Sequence, residues 1–236
     1  VMKKEFNIDL NQANYFAGHS LGEYSALTCA NSLPFEEAVC LLYARGKFMQ
    51  EAVPSGKGAM LAVLGLKVEE VLEQINSIST NGICEVANDN SPGQIVVSGD
   101  KDSIQILQNS LKKKSIRGII LPVSAPFHCS LMESAEKKMS QKITELIFKN
   151  PKPSIISNVT AKAENKVSKI KELLIKQITS RVNWRESIEY MINNGVNEFI
   201  EIGPGKVLTG LVRRINKDVN VFNINSIDDI TNYINK

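Results

Sequence analysis

Apolar residues recur along the chain in two rhythms, and the change from one to the other divides it. After a polar, patternless opening dozen, Tyr15 to Ala17 reads as the end of a buried strand and Ser20 to Ala30 as a helix. Pro34 opens a second helix, "PFEEAVCLLYARGKFMQEAV", with Glu36 and Glu37 in its first turn, where acidic groups complement the helix dipole. Val39, Leu41 and Leu42 are its expected apolar face.

From Lys57 the rhythm shortens. "GAMLAVLGL" predicts a strand, "VEEVLEQINSI" a helix, "CEVAN" and "QIVVSG" two strands joined by a turn at Asn90-Ser91-Pro92-Gly93, "DSIQILQNSLKKK" a helix and "GIILPVS" a strand. The order βαββαβ is that of a ferredoxin-like unit. It predicts a small inserted subdomain over 57–124 and a larger domain over 1–56 and 125–236.

Beyond the insertion, "SLMESAEKKMSQKITELIF" is an amphipathic helix and "PSIISNV" a strand. "IKELLIKQITS" and "WRESIEYMINNG" are helices. "NEFIEIG" is a strand turning through Gly203-Pro204-Gly205 into the helix "KVLTGLVRRI"; "NVFNIN" and "DDITNYIN" close the chain as strand and helix. Strands alternating with helices predict an α/β fold with a parallel, helix-covered sheet.

Composition narrows the function. Twenty-eight Lys and Arg against 25 Asp and Glu leave a net charge of +3 in 236 residues, without the basic stripe of a nucleic-acid binder. Lys112-Lys113-Lys114 is the one dense basic run and reads as a solvated helix end or a dock for an acidic partner. No apolar run approaches the ~20 residues that cross a bilayer, and no signal segment opens the chain, so no membrane is expected. The four cysteines contain no CxxC pair and, with two histidines, form no zinc set; they read as reduced thiols, with no metal expected. The opening Val1-Met2-Lys3 predicts a piece of a longer chain.

The candidate chemistry sits between the first strand and the first helix. Gly18-His19-Ser20-Leu21-Gly22 fits Gly-x-Ser-x-Gly, the elbow that lifts a nucleophilic serine out of a strand-turn-helix. Small residues two before and two after the serine are expected there, with the amide of Leu21 aimed at a reacting carbonyl. Serine is also a good helix N-cap, so Ser20 has a purely structural reading. A nucleophile needs a base. His19 is expected to point away, because neighbouring side chains diverge in a sharp turn. His128, in "LPVSAPFHCSLM", remains, with one ring nitrogen for Ser20 and the other seeking an acceptor. A structural histidine is the alternative.

The blocks "GHSLGEYSAL", "ARGKFMQEAVP", "NSPGQIVVSG", "PVSAPFHCSLM" and "EIGPGKVLTGL", in this order, resemble the malonyl-CoA:acyl carrier protein transacylases of bacterial type II fatty acid synthesis. The resemblance runs from about Ala17 to the C-terminus. It implies an α/β-hydrolase-like core carrying the ferredoxin-like insertion, and transfer of malonyl from malonyl-CoA to the phosphopantetheine thiol of holo acyl carrier protein. It implies no cofactor, a monomer and a cytoplasmic setting. By resemblance Ser20 is the acyl-accepting serine, His128 its base, and Gln177 the residue whose main-chain carbonyl orients that base. Leu21 gives one oxyanion amide, Arg45 holds the malonyl carboxylate, and Met49 and Asn90 line the pocket. The family's initial strand and its Gly-Gln-Gly-Ser-Gln motif have no counterpart here, so the resemblance implies further chain ahead of Val1.

Chemistry supports Arg45 in that role. Malonyl differs from acetyl by one carboxylate, which a planar guanidinium grips with two parallel hydrogen bonds. Phe127 stands before His128; in modular polyketide relatives of the family a Phe-His pair accompanies malonyl over branched units, while plain packing is the other reading of Phe127. The Gly203-Pro204-Gly205 turn lacks the lysine spacing of a phosphate loop and reads as a tight connection. Two rival functions remain at this level: a serine esterase or thioesterase that uses water as acceptor, and an inactive fragment that only binds acyl groups or partners.

Overall fold

The computed structural model describes residues 1–236. A single helical turn, α1 (Met2–Glu5), precedes the short strand β1 (Tyr15–Phe16), followed by α2 (Leu21–Cys29) and α3 (Phe35–Glu51). The buried face of α3 differs from expectation. Leu41 is inside, Leu42 is half-buried and Val39 lies open to solvent. The face against the core is Ala38, Leu41, Ala44, Arg45 and Met49. Alanines on this ridge allow close approach of neighbouring helices, which turns Val39 outward and carries Arg45 inward.

The middle of the chain forms β2 (Gly58–Leu64), α4 (Val68–Ser77), β3 (Cys84–Ser91), β4 (Gln94–Asp100), α5 (Lys101–Lys113) and β5 (Arg117–Ile120). The four strands make an antiparallel sheet in the order β3-β4-β2-β5. Both helices lie on one face, over a core that includes Leu61, Val63, Val71, Ile95, Val97, Ile104 and Leu107. Two boundaries shift from those expected. β3 continues through Asn90 and Ser91, leaving Pro92-Gly93 as the turn, with Gly93 at φ +73°. Register breaks at Val86/Asn88 and Asp89/Ser91 let the strand bulge. β5 stops at Ile120 instead of running on to Ser124, just ahead of Pro122, which has no N–H for the ladder.

The remainder comprises α6 (Glu133–Glu145), β6 (Ser154–Ile156), β7 (Ala163–Glu164), α7 (Val167–Lys176), α8 (Trp184–Asn193), β8 (Glu198–Ile202), α9 (Val207–Ile215), β9 (Asn220–Ile224) and α10 (Ile227–Ile234). The single parallel sheet expected outside the insertion is found as two pieces. β1 pairs parallel with β6, which pairs antiparallel with the unpredicted β7; β8 and β9 pair parallel on their own. β1 and β6 are too short to carry pairing further. Side chains bridge the pieces instead: Ile156 of β6, Trp184 and Ile188 of α8, Leu211 of α9 and Val221 of β9 form one cluster. The largest cluster packs α2, α3, α6 and α7 around Tyr24, Leu27, Leu41, Met139, Ile143 and Leu174. The result is a mixed α/β molecule whose β1–α2 turn touches the end of β3 through His19 and Asn90. All four cysteines are free thiols. No helix is long and apolar enough to cross a membrane.

Candidate active site

Ser20 occupies the turn between β1 and α2 with φ 52° and ψ −104°. A side chain rarely accepts that backbone, and such strain concentrates at functional positions. Steric demand explains half of the elbow motif. A Cβ on Gly18 would lie 1.9 Å from the Gly22 carbonyl oxygen, whereas a Cβ on Gly22 would meet nothing within 4 Å. So Gly18 must be glycine because the backbone of Gly22 passes over it, and Gly22 itself is free to be larger. Asn158, just after β6, staples the turn: its Oδ1 accepts from the Ser20 amide at 2.6 Å and its Nδ2 donates to the Gly18 carbonyl at 2.8 Å.

The serine is an N-cap by position only. Its side chain makes no capping bond. It lies 2.7 Å from His128 Nε2. His128 also has a positive φ, 59°. Its Nδ1 is 2.8 Å from the main-chain carbonyl of Gln177, which can only accept. The proton is therefore on Nδ1, and Nε2 presents a lone pair to the serine hydroxyl. Burial, with the Arg45 charge adding to it, pushes the His128 pKa down to about 3, so the imidazole is neutral at pH 7.

Arg45 is 7% exposed and its Nη2 donates both to Ser20 Oγ, at 2.8 Å, and to Gln177 Oε1, at 3.1 Å. Its guanidinium lies 5.9 Å from the centre of the Tyr24 ring, and its Nε has no partner. Burial lowers its pKa from the ordinary arginine value. The hydroxyl of Ser20 thus receives one N–H from a cation and gives its own proton towards a neutral base.

His19 turns away as expected. Its Nε2 lies 2.8 Å from Asn90 Oδ1, and its ring stands 5.5 Å from that of Trp184. Asn90 therefore meets the site through His19. The Leu21 amide has no acceptor within the protein, and its side chain is half exposed. Phe127 is half-buried, touching both the main core and the cluster of Met60, Ala87 and Val96 under the small sheet. Met49 lies one helical turn beyond Arg45 in the main core. Hydrogen bonds join Ser20, His128, Arg45 and Gln177 directly; Met49, Asn90 and Phe127 make no bond to the serine. A surface cavity of about 830 Å³ lies elsewhere, lined by Lys57, Thr80, Asp100 and Ser103 at the start of α5.

Two residues of the constellation escape sequence reading. Glu23 is 1% exposed; its Oε2 accepts from Gln177 Nε2 at 2.7 Å and from the Asn158 amide at 3.2 Å. Burial raises its pKa to about 7, against the pull of those bonds and of Arg45. Gln177 Nε2 also donates to the Ser20 carbonyl at 3.1 Å. The signals were faint but present. Glu23 stands one helical turn after Ser20, on the same side of α2, and Asn158 closes an apolar strand at its carboxyl end, where α/β sheets carry their sites.

The family profile described as acyl transferase domain matches residues 11–230. The chain is 42% identical over 200 residues to the malonyl CoA-acyl carrier protein transacylase of Escherichia coli K12, covering 84% of this chain and 65% of that protein. The crystal structure of the malonyl CoA-acyl carrier protein transacylase from Clostridium perfringens superposes with a TM-score of 0.93 at 41% identity, over 99% of this chain and 73% of the other. A structure of a type II PKS acyl-carrier protein in complex with its malonyl-transacylase gives a TM-score of 0.91 at 37% identity, over 94% and 72%.

Proposed function

The chain belongs to the acyl transferase domain family, and from that premise we propose that it moves a malonyl group from malonyl-CoA to the phosphopantetheine thiol of acyl carrier protein through an ester on Ser20. His128 Nε2 takes the hydroxyl proton as Ser20 Oγ bonds to the thioester carbonyl carbon. The Leu21 amide donates to the oxyanion. The C–S bond breaks, and the proton on Nε2 leaves with the CoA thiol. In the second half the carrier thiol gives its proton to Nε2 and attacks the ester, and Ser20 leaves as the alcohol. Arg45 exchanges its bond to Ser20 for the malonyl carboxylate. Met49, Asn90 and Phe127 shape the pocket around the acyl group. The turnover needs no cofactor, and the monomeric, cytoplasmic setting implied by the resemblance belongs to the same reading.

The observation that carries the proposal is the 2.7 Å contact of Ser20 Oγ with a His128 whose other nitrogen is tied to the Gln177 carbonyl. A hydrolase on this elbow commonly orients its histidine with a carboxylate; a neutral carbonyl in that place favours transfer over the esterase reading. We also read the fold as an α/β-hydrolase-like core, 1–56 and 125–236, carrying a ferredoxin-like subdomain at 57–124. The β3-β4-β2-β5 order with two helices on one face supports that reading.

The test is mass spectrometry of the chain after incubation with malonyl-CoA. One malonyl group should be gained, released by a pantetheine thiol and absent from Ser20→Ala. Consumption of malonyl-CoA at the same rate with and without a thiol acceptor would instead identify a hydrolase.

A further inference from the structure

Arg45 has to be aimed, and the residue that aims it is not among those the resemblance supplies. This inference rests on the acyl-transfer reading of Arg45. Between the guanidinium and the buried Glu23 carboxyl stands the side-chain amide of Gln177. Its Oε1 accepts from Arg45 Nη2 at 3.1 Å, and its Nε2 donates to Glu23 Oε2 at 2.7 Å. A primary amide can be turned over, exchanging its donor and acceptor ends. A carboxylate oxygen at 23 accepts only, so it selects one of the two orientations. In the other, amide oxygen would face carboxylate oxygen and amide N–H would face guanidinium N–H.

We propose that Glu23 is a positioning residue for acyl selection: by accepting from Gln177 Nε2 it fixes the amide oxygen that aims the Arg45 guanidinium at an acyl carboxylate. The relay also explains why the two charges do not pair directly. A Glu23–Arg45 salt bridge would consume the N–H groups a substrate carboxylate needs. Held one amide away, Glu23 compensates the buried cation while Arg45 Nε stays a buried donor without a partner. The same glutamine gives its main-chain carbonyl to His128 and a second side-chain bond to the Ser20 carbonyl. Acyl recognition and base orientation therefore share one residue, and Glu23 acts on the first.

The isosteric variant Glu23→Gln weakens the selection, because a glutamine at 23 accepts either orientation of Gln177 and leaves only the longer bond to the Ser20 carbonyl to hold its Nε2. Initial rates of Ser20 labelling are measured with malonyl-CoA and with acetyl-CoA. The malonyl-to-acetyl ratio of kcat/KM should fall about tenfold, the change carried by one charge-assisted hydrogen bond near the weak end of its range. The loss should appear in the KM for malonyl-CoA, and in an Arg45→Ala background Glu23→Gln should lower the ratio no further. Gln177→Leu, which keeps the carbonyl on His128, should reproduce the fall if Glu23→Gln does not fold. An unchanged ratio, or equal losses for both thioesters, overturns the proposal. Nitrogen-15 spectra give a reading independent of turnover: the Arg45 Nε–H resonance should shift in Glu23→Gln. An unmoved resonance overturns the inference even in a chain that takes up no malonyl, a result that would separately defeat the transfer reading.

Discussion

Replacing Arg45 by alanine tests how the chain tells malonyl from acetyl. Arg45 Nη2 makes two bonds, to Ser20 Oγ at 2.8 Å and to Gln177 Oε1 at 3.1 Å. Acceptance of a malonyl carboxylate gives up the first and gains two parallel charge-assisted bonds. At about 1.5–3 kcal/mol each, less a bond of similar strength surrendered at Ser20, the net is about 1.5–3 kcal/mol, or roughly tenfold to a hundredfold in kcat/KM. Acetyl brings no carboxylate, so it must break the Ser20 bond without compensation; removing Arg45 relieves that cost. Arg45→Ala should therefore lower malonyl loading by roughly tenfold to a hundredfold while acetyl loading holds or rises by about one bond's worth. Stopped-time labelling of Ser20 from each thioester, read by mass, measures both. Parallel losses for the two acyl groups would refute the reasoning and leave Arg45 a structural residue.

Two further predictions concern the base and the elbow. Because the His128 pKa lies near 3, malonyl labelling should persist from pH 8 down through pH 5, with no fall across the ordinary histidine range near 6.5; a midpoint near 6.5 would show that burial does not govern this imidazole. The same depression adds stability that is whole above pH 6.5 and lost as pH falls towards 3, at about 1.4 kcal/mol per unit. Glu23, raised from 4.5 to about 7, has the opposite sign: its contribution is whole below 4.5 and lost as pH rises to about 7. The two offset between 4.5 and 6.5, so urea titrations of Glu23→Gln should show stability rising with pH there more steeply than in the parent. Gly18→Ala forces a Cβ to 1.9 Å from the Gly22 carbonyl and should destabilise by about 3 kcal/mol or more, whereas Gly22→Ala should be neutral or gain up to about 1 kcal/mol of helix propensity. Equal melting temperatures for the two variants would contradict that asymmetry.

Local pattern made the elbow legible, because strand, turn and helix occupy one short stretch and glycine spacing is itself a steric statement. The βαββαβ order was legible for the same reason, since each strand and helix there carries its own periodicity. Pairing between distant segments was not. Nothing in the alternation around β1 and β6 announces that they end too soon to join β8. The inward face of α3 was hidden by its alanines, which weigh little in an apolar pattern but decide which way Arg45 turns. Glu23 reads locally as an ordinary acid in the first turn of a helix; its meaning depends on Asn158 and Gln177, 135 and 154 residues away.

One consequence belongs to the bulged end of β3. Asn88 bridges to Val182, buried Asp89 holds Arg185 through both carboxylate oxygens, and Asn90 reaches His19. Two successive residues of the small sheet are thereby tied to the segment that opens α8, and a third to the residue beside the nucleophile. A hinge between β3 and α8 would have to break the ion pair of buried Asp89 with Arg185. Rearrangement around the serine then falls first to side chains, among them Arg45, whose guanidinium already holds the hydroxyl.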